Sequence, residues 1–467
     1  MSFAQYHYGK VGTSIIPAIS KETIISKMIN FVDFFKINLS HGYDDSKKKY
    51  IDTINKLDNS KTIMIEIKGA EIRTKNSQSL QVKKWQELTV DFSEYFEDQD
   101  GTLFIDYLYI NDMVVDTIIS FEECAVVLKV LEVIDQKAQC KVINGWSIIS
   151  NKIVNFENYV PKLDFVTERD KKDINRWLQV WINFFILSYV KNEDNIKEVK
   201  KFVKDTTDKD IIAYCKIDTM DGINNMENII KTADGVFIDL EMLTELDNSI
   251  KPKHILKLAS YYGKPVIMSI DYTNLSDKNF QKTIYEYVRL GVASFLISSG
   301  ELSGDEIVEN LMSVHDVLAQ ISRDISVTST QSDMYMSTDD YLTDYIIYTS
   351  YQIYQDLSAR AIICYTDDWA IASKLASLKP NIPIIAFTKT DVTYRYLNMM
   401  RGVKSYKISS SFDYENVKKI GKEVIRVIFK GNITLDDKII FVHASSTNTH
   451  QQNHMINGIE IYKFKEI

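Results

Sequence analysis

Short runs of apolar and β-branched residues alternate with helical patterns in the first two-thirds of the chain. This alternation is typical of βα units, because parallel strands need a crossover connection that a helix usually supplies. Eight βα units predict an α/β fold of the (β/α)8 TIM barrel type. The candidate strands are Ser14–Ala18, Phe34–Leu39, Thr62–Ile67, Phe184–Val190, Ile211–Ile217, Gly235–Leu240, Pro265–Ile270 and Ser294–Ser298.

The alternation stops between Thr74 and Val160, where the pattern changes to a period of two residues. Segments such as LTVDF, TLFIDYLYI, CAVVLKVLEV and AQCKVI are typical of antiparallel strands with one buried face. They predict a β-barrel domain inserted after the third barrel strand. Barrel helices resume near Thr167, whose hydroxyl can cap the helix that follows.

A stretch rich in Ser, Thr and Asp, Ser326–Asp340, indicates a domain boundary. Beyond it, the strand-like segments AIICYT, PIIAFT, YKIS, KIIFVHA and IEIYKF alternate with helical segments and predict a doubly wound α/β domain. The expected domains are therefore the barrel in two parts (1–73 and 161–325), the inserted β domain (74–160) and the C-terminal α/β domain (340–467).

Composition excludes several classes of protein. The 467 residues carry a net charge of −9 with acids and bases well mixed, which argues against a nucleic-acid-binding surface. No apolar run reaches the ~18 residues of a membrane span, and the start, MSFAQYHYGK, does not resemble a secretion signal. A cytoplasmic location is expected. The four cysteines are far apart in sequence, so we expect reduced, packed thiols.

Polar motifs follow the second and third candidate strands. The residues there read KINLSHG (36–42) and EIKGAEIRT (66–74). In a TIM barrel, the carboxyl ends of the strands carry the chemistry, so these segments are candidate parts of an active site.

The two segments resemble motifs of the pyruvate kinase family, R-L-N-F-S-H-G and D-T-K-G-P-E-I-R-T. Further along, AYCKID (213–218) resembles the family's S-K-I-E, and SSGELSGD (298–305) resembles L-S-G-E-T. NGWSIISNK (144–152) fits the last part of the family's inserted domain, which also follows strand three. Five matches in order, at strand ends, cover nearly the whole chain.

The resemblance implies transfer of phosphate from phosphoenolpyruvate to ADP, aided by Mg²⁺ and usually K⁺. It implies that Arg73 and Lys36 meet phosphate and that Lys216 stabilises charge on the moving phosphoryl group. Asp218 stands where the family has a metal-binding glutamate and is shorter by one methylene. From the residues alone, Lys216 and Asp218 could also form a buried structural ion pair.

The resemblance also implies a potassium site and a nucleotide site. Asn38 and Ser40 match potassium ligands, and Glu66 stands in place of a ligating aspartate. His41 and Lys152 match positions near the ADP or ATP nucleotide.

Five further positions depart from the family pattern. Lys36 replaces an arginine, so bidentate recognition of phosphate is reduced to a point charge. Met242 replaces a metal-binding aspartate, and Glu241 replaces the glycine before it. Ile67 and Ile270 replace threonines. A thioether cannot hold a hard cation, so these departures predict a degenerate site; Met242 and Ile270 could also simply pack at the barrel mouth.

A loop of the C-terminal domain provides a separate test. In activated relatives, a T-K-S-G-R-S loop after the first strand of this domain binds an effector phosphate. Here Thr366–Ile371 reads TDDWAI, and Asp367 and Asp368 would repel phosphate. We expect no sugar-phosphate activator.

Three hypotheses for function follow. The first is a pyruvate kinase subunit with a degenerate site and little or no activity, which assembles as a homo- or hetero-tetramer with an active paralogue. The second is a fully active, divergent pyruvate kinase in which Glu241 or Asp239 replaces the lost ligand. The third is a binding or scaffold protein outside glycolysis. The tyrosine-rich segment Tyr341–Leu357 is a candidate interface helix, or else a helix buried in its own domain.

Overall fold

The computed structural model describes residues 9–14, 21–39, 45–69, 72–93, 99, 101–107, 110–121, 125–148, 152–159, 161–162, 164–246, 251–271, 278–298, 303–324, 334–337, 340–408, 414–443 and 458–467. The chain divides into two compact units, Met1–Ile67 with Asp173–Ile467, and Lys68–Lys172. Among these described residues, no helix has the length and apolar character that crossing a bilayer requires.

A closed barrel of eight parallel strands forms the first part of the larger unit. In chain order the strands are β1 (Lys10–Ser14), β2 (Phe34–Asn38), β3 (Thr62–Glu66), β12 (Phe184–Leu187), β13 (Ile212–Lys216), β14 (Gly235–Asp239), β15 (Val266–Asp271) and β16 (Ser294–Ser298). Nearly all of their described residues are buried, as expected for strands covered on both faces. The predicted TIM barrel is confirmed.

The first strand lies earlier in the chain than the sequence pattern suggested. The apolar run at Ser14–Ala18 was expected to form it, but β1 covers Lys10–Ser14, and residues 15–18 lie outside the described part. Gly12 lets β1 pack closely on β2, because a Cβ atom there would lie 2.3 Å from the ring of Phe34.

Helices follow the barrel strands and lie between them in sequence. They are α1 (Glu22–Met28), α2 (Asp45–Leu57), α3 (Glu168–Gln179), α4 (Glu193–Thr206), α5 (Met220–Asn224), α6 (Met226–Thr232), α7 (Leu240–Leu246), α8 (Pro252–Tyr261), α9 (Lys278–Leu290) and α10 (Gly304–Asp324). The predicted cap at Thr167 is present: its hydroxyl oxygen accepts from the backbone N–H of Asp170 at 3.1 Å. At α4, Asn192 and Asn195 form a reciprocal capping box.

The smaller unit, Lys68–Lys172, contains the predicted antiparallel strands. A six-stranded sheet has the order β11-β7-β8-β9-β5-β6, and β10 pairs with β4 in a two-stranded sheet. The strands are β4 (Leu80–Gln81), β5 (Glu87–Asp91), β6 (Thr102–Phe104), β7 (Ile118–Phe121), β8 (Val126–Ile134), β9 (Lys137–Asn144), β10 (Ser147–Ile148) and β11 (Val154–Glu157). Its core is separate from that of the barrel and includes Val90, Leu128 and Val142.

The C-terminal α/β domain has a five-stranded sheet in the order β19-β18-β17-β20-β21, with only β21 antiparallel. The strands are β17 (Ala361–Tyr365), β18 (Ile384–Thr388), β19 (Val403–Lys407), β20 (Lys438–His443) and β21 (Gly458–Lys463); the helices are α11 (Tyr341–Leu357), α12 (Ala370–Ser377), α13 (Asp391–Asn398) and α14 (Tyr414–Phe429). The three described cysteines, Cys140, Cys215 and Cys364, are buried free thiols, as expected.

A half-buried lysine just before β15 makes stability depend on pH. The ammonium of Lys264 donates to the Ala233 carbonyl at 2.6 Å. Burial lowers its pKa from 10.5 to about 8, despite the nearby carboxylate of Asp234. The unfolded chain therefore binds the extra proton between about pH 8 and 10.5, so this group destabilises the fold below pH 8 and ceases to do so as pH rises.

We expect Lys264→Met to raise the free energy of unfolding at pH 7 by up to about 3 kcal/mol, with the gain disappearing toward pH 10.5. Chemical denaturation across pH 7–10.5 measures this difference. Exposed Lys257 provides the matched control, and Lys257→Met should change neither the free energy nor its pH dependence. Parallel pH profiles for the wild type and Lys264→Met would contradict the assignment.

Candidate active site

A buried carboxylate holds two lysines at the carboxyl end of the barrel. Glu66, the last residue of β3, lies between β2 and β12 in the sheet order. Its Oε2 accepts from Lys36 Nζ at 2.7 Å and its Oε1 from Lys216 Nζ at 3.3 Å. The hydroxyl of Ser188 donates to Oε1 at 3.2 Å. The structure thus brings together three of the residues that the sequence motifs singled out.

The environment of Glu66 keeps it charged. Burial alone would raise the pKa of this carboxyl, but the charges of Lys36 and then Lys216 outweigh burial and lower it to about 2. Both lysine side chains are nearly buried, with 11% and 12% exposed. At neutral pH the cluster is therefore a fixed ionic arrangement with two ammoniums on one carboxylate.

Asp218 lies two residues beyond Lys216 and is 5% exposed. Its Oδ1 accepts from the backbone N–H of Tyr189 at 2.9 Å, whereas its Oδ2 is buried without a hydrogen-bond partner among the described atoms. Burial raises the pKa of Asp218 to about 7, although Lys216 opposes this shift. A buried, unpartnered carboxylate oxygen is the kind of group that a hard cation satisfies.

Three carboxylates act on the ammonium of Lys216. Burial would lower its pKa, but the charges of Glu66, Asp218 and Asp239 outweigh burial and raise it. Lys216 therefore stays protonated at neutral pH. The ion pair that Lys216 forms is with Glu66, rather than with Asp218 as the alternative had it.

Three of the positions that depart from the family motif, Glu241, Met242 and Ile270, lie on or after β14 and β15. Asp239 ends β14, and its Oδ1 accepts from the backbone N–H of Met242 at 3.2 Å. Met242 is half-buried, whereas Glu241 is exposed. Ile270 is 2% exposed, so its side chain packs in the protein interior.

Arg73 and Lys152 lie in the smaller unit and are neighbours there. Arg73 forms an antiparallel bridge with Ile153. Two hydrogen bonds join Thr74 and Lys152. The Thr74 N–H donates to the Lys152 carbonyl at 2.9 Å, and the Thr74 hydroxyl oxygen accepts from the Lys152 N–H, also at 2.9 Å. The motif that ends at Thr74 and the motif that ends at Lys152 are therefore joined within this unit.

Only part of the candidate potassium site falls within the described residues. Ser40 and His41 lie outside the described residues, and Asn38 is half-buried at the end of β2. Both oxygens of Glu66 already accept from ammoniums, and Ile67 offers no side-chain oxygen. Among the described members of this set, the Glu66 carboxylate is therefore held by two ammoniums, and the potassium site stays a prediction.

Two supporting contacts were not foreseen from the sequence. Ser188 and Tyr189 follow β12, at positions that the sequence pattern assigned to the strand itself. Ser188 donates to Glu66, and Tyr189, with a left-handed φ of 61°, directs its N–H to Asp218. Apart from their position at a strand end, neither residue carries a sequence signal for this role.

A TIM barrel with charged strand ends, an inserted β domain and a C-terminal α/β domain defines a multidomain barrel enzyme architecture. The family model described as pyruvate kinase, barrel domain, matches residues 8–294, and the pyruvate kinase alpha/beta domain model matches residues 344–457. These matches cover more than half of the chain. The chain belongs to the pyruvate kinase family.

Comparisons with individual proteins point to the same family. Pyruvate kinase of Clostridium perfringens is 27% identical over 435 residues, covering 88% of this chain and 92% of the relative. Pyruvate kinase of Staphylococcus aureus is 25% identical over 418 residues, covering 85% and 71%. A crystal structure of Cryptosporidium parvum pyruvate kinase superposes with a TM-score of 0.79 at 20% identity, covering 99% of this chain and 98% of that one, and so supports the fold.

Proposed function

We propose that this chain transfers the phosphoryl group of phosphoenolpyruvate to ADP, giving pyruvate and ATP, with a low turnover of its own. The observation that carries the proposal is the buried cluster in which Glu66 holds Lys36 and Lys216 at the mouth of the barrel. Phosphoryl transfer depends mostly on positioning and on neutralising charge, and this cluster supplies two fixed cations. Membership of the family supports the choice of substrates.

In this proposal each residue of the cluster has one task. Lys216 stabilises the charge on the moving phosphoryl group, and Lys36 contributes a second positive charge to phosphate binding. Glu66 touches neither substrate and acts as a positioning residue for both lysines. Asp218 would hold Mg²⁺, which when bound neutralises phosphate oxygens. Arg73 and Lys152 are proposed contacts for phosphate and nucleotide.

Low turnover follows from the substitutions around this cluster. Lys36 gives a point charge where an arginine would give two directed hydrogen bonds. Ile270 has no donor, and exposed Glu241 adds a negative charge at a segment proposed to face an anionic substrate. Each lost charge-stabilising group costs about 10²-fold in rate, so two independent losses approach about 10⁴-fold.

Assembly with a paralogue of higher activity, as a homo- or hetero-tetramer in the cytoplasm, is part of the proposal. The helix α11 supports an interface, because Tyr341, Leu342 and Tyr345 are each more than half exposed while Ile347 on the same helix is fully buried. A fully active, divergent enzyme is the second candidate. It is favoured by Asp239, a carboxylate close enough to raise the pKa of Lys216.

A coupled assay of pyruvate formation tests the proposal. The purified chain is assayed alone, with Mg²⁺ and K⁺, and then with any paralogue that co-purifies from the native source. We expect slow turnover from the chain alone, well below the 1–100 per second typical of kinases, and normal turnover from a mixed assembly. Complete inactivity in both assays would overturn the proposal.

The loop Thr366–Ile371, which in activated relatives binds an effector phosphate, leads to a further expectation. Asp367 Oδ1 accepts from the Lys389 backbone N–H at 3.1 Å, and Asp368 Oδ1 accepts from Ala370 N–H at 3.2 Å. These carboxylates therefore occupy donors that a phosphate would need and repel it as well. Fructose bisphosphate at millimolar concentration should neither shift the melting temperature nor raise activity. A saturable shift that disappears at high salt would show that the loop does bind phosphate.

A further inference from the structure

Asp239 lies beside Asp218 at the carboxyl end of the barrel. Strands β13 and β14 are parallel neighbours, with Lys216 opposite Phe237. The ladder continues past this pair, since Ile217 N–H donates to the Phe237 carbonyl at 3.3 Å. Extending the same register by two residues places Asp218 opposite Asp239. Adjacent strands are about 4.8 Å apart, a spacing at which two carboxylates can share one cation.

The charges around this pair favour a cation. The described cluster contains two ammoniums, Lys36 and Lys216, and three carboxylates, Glu66, Asp218 and Asp239. With all three carboxylates ionised, as metal binding requires, two positive and three negative charges leave a net charge of −1. A divalent cation changes the net charge to +1, and only then does the cluster attract an anionic substrate.

The carboxylates of Asp218 and Asp239 are engaged less fully than that of Glu66, whose two oxygens both accept hydrogen bonds from ammoniums. Asp218 is 5% exposed, and its Oδ2 has no hydrogen-bond partner among the described atoms. Asp239 uses Oδ1 to accept from the Met242 N–H, a contact that does not involve its Oδ2. Each aspartate thus has an oxygen that its contacts with the described residues do not use.

We propose that Asp239, together with Asp218, holds the divalent cation, and that the ligand has moved from the helix after β14 to the end of the strand itself. This proposal rests on the proposed function for the identity of the substrates. Mg²⁺ and Mn²⁺ need only one or two protein carboxylates when phosphate oxygens and water complete the octahedron. Glu241 is exposed, and the Met242 thioether is a poor ligand for a hard cation, so neither takes this place.

Mn²⁺ binding tests the pair without any need for catalysis. Free Mn²⁺ is measured by electron paramagnetic resonance while the full-length protein is titrated with the metal alone, without phosphoenolpyruvate or ADP. We expect Asp239→Asn and Asp218→Asn each to weaken binding at least tenfold. The matched control is Glu241→Gln, which removes the same charge two residues away and should change the affinity less than twofold.

Asparagine at 239 keeps an acceptor for the Met242 N–H, so the variant should fold; its melting temperature without metal checks this. Wild-type affinity in Asp239→Asn, or an equal loss in Glu241→Gln, would overturn the proposal. Failure of the proposed metal site can be told apart from failure of the proposed function. Mn²⁺ binding that depends on both aspartates in a protein that forms no pyruvate refutes only the proposed function, and pyruvate formation unaffected by Asp239→Asn refutes only the metal site.

Discussion

Lys216→Met should lower the rate of pyruvate formation at least about 10²-fold, because it removes the buried cation proposed to stabilise the moving phosphoryl group. It also removes the ammonium whose positive charge interacts with the carboxylates of Asp218 and Asp239. The measurement is the initial rate with saturating phosphoenolpyruvate and ADP, together with the melting temperature of each protein.

Lys201→Met is the matched control, since that lysine is 76% exposed on α4 and, within the described part of the chain, pairs with the exposed Asp205. Its rate should equal that of the wild type. A folded Lys216→Met protein that retains more than a tenth of the wild-type rate would remove Lys216 from the mechanism.

Glu66→Gln should lower the free energy of unfolding by about 3–5 kcal/mol, because it leaves two buried ammoniums without the carboxylate that joins them. Denaturant unfolding at pH 7 measures the change. Lys36→Met in the same chain should recover part of the loss, since one of the two uncompensated charges is then removed.

An exposed pair provides the comparison for Glu66. Asp194→Asn breaks the contact with Lys197, in which both side chains are more than half exposed, and should cost less than about 1 kcal/mol. If Glu66→Gln cost no more than Asp194→Asn, the cluster would not be the fixed ionic arrangement that positions Lys36 and Lys216.

Much of the fold could be predicted because its signals are local. Apolar β-branched runs marked seven of the barrel strands closely, and the change to a period of two marked the inserted strands. The first strand was predicted at Ser14–Ala18, whereas β1 begins at Lys10 and includes Gly12, whose lack of a side chain admits the ring of Phe34. Such a contact depends on a neighbouring strand and has no local signature.

The sequence identified individual residues of the candidate site, but not which of their side chains contact one another. Strand-end position and motif identified Lys36, Glu66, Lys216 and Asp218, yet the sequence assigned Glu66 to potassium rather than to the two lysines. Its role as their shared partner depends on side chains from three strands, up to 150 positions apart. The place of Asp239 beside Asp218 depends on the register of β13 against β14, which sequence periodicity does not specify.

A single-turnover experiment tests the central claim most directly. Enzyme in excess over phosphoenolpyruvate is mixed with ADP and Mg²⁺, quenched at intervals, and assayed for ATP beside the Lys216→Met variant. Our account predicts ATP formation in the wild type at a rate well below the 1–100 per second of typical kinases, and none above background in the variant. A wild-type rate within that range would contradict the low turnover, and ATP formation equal in both proteins would contradict the assignment of the site.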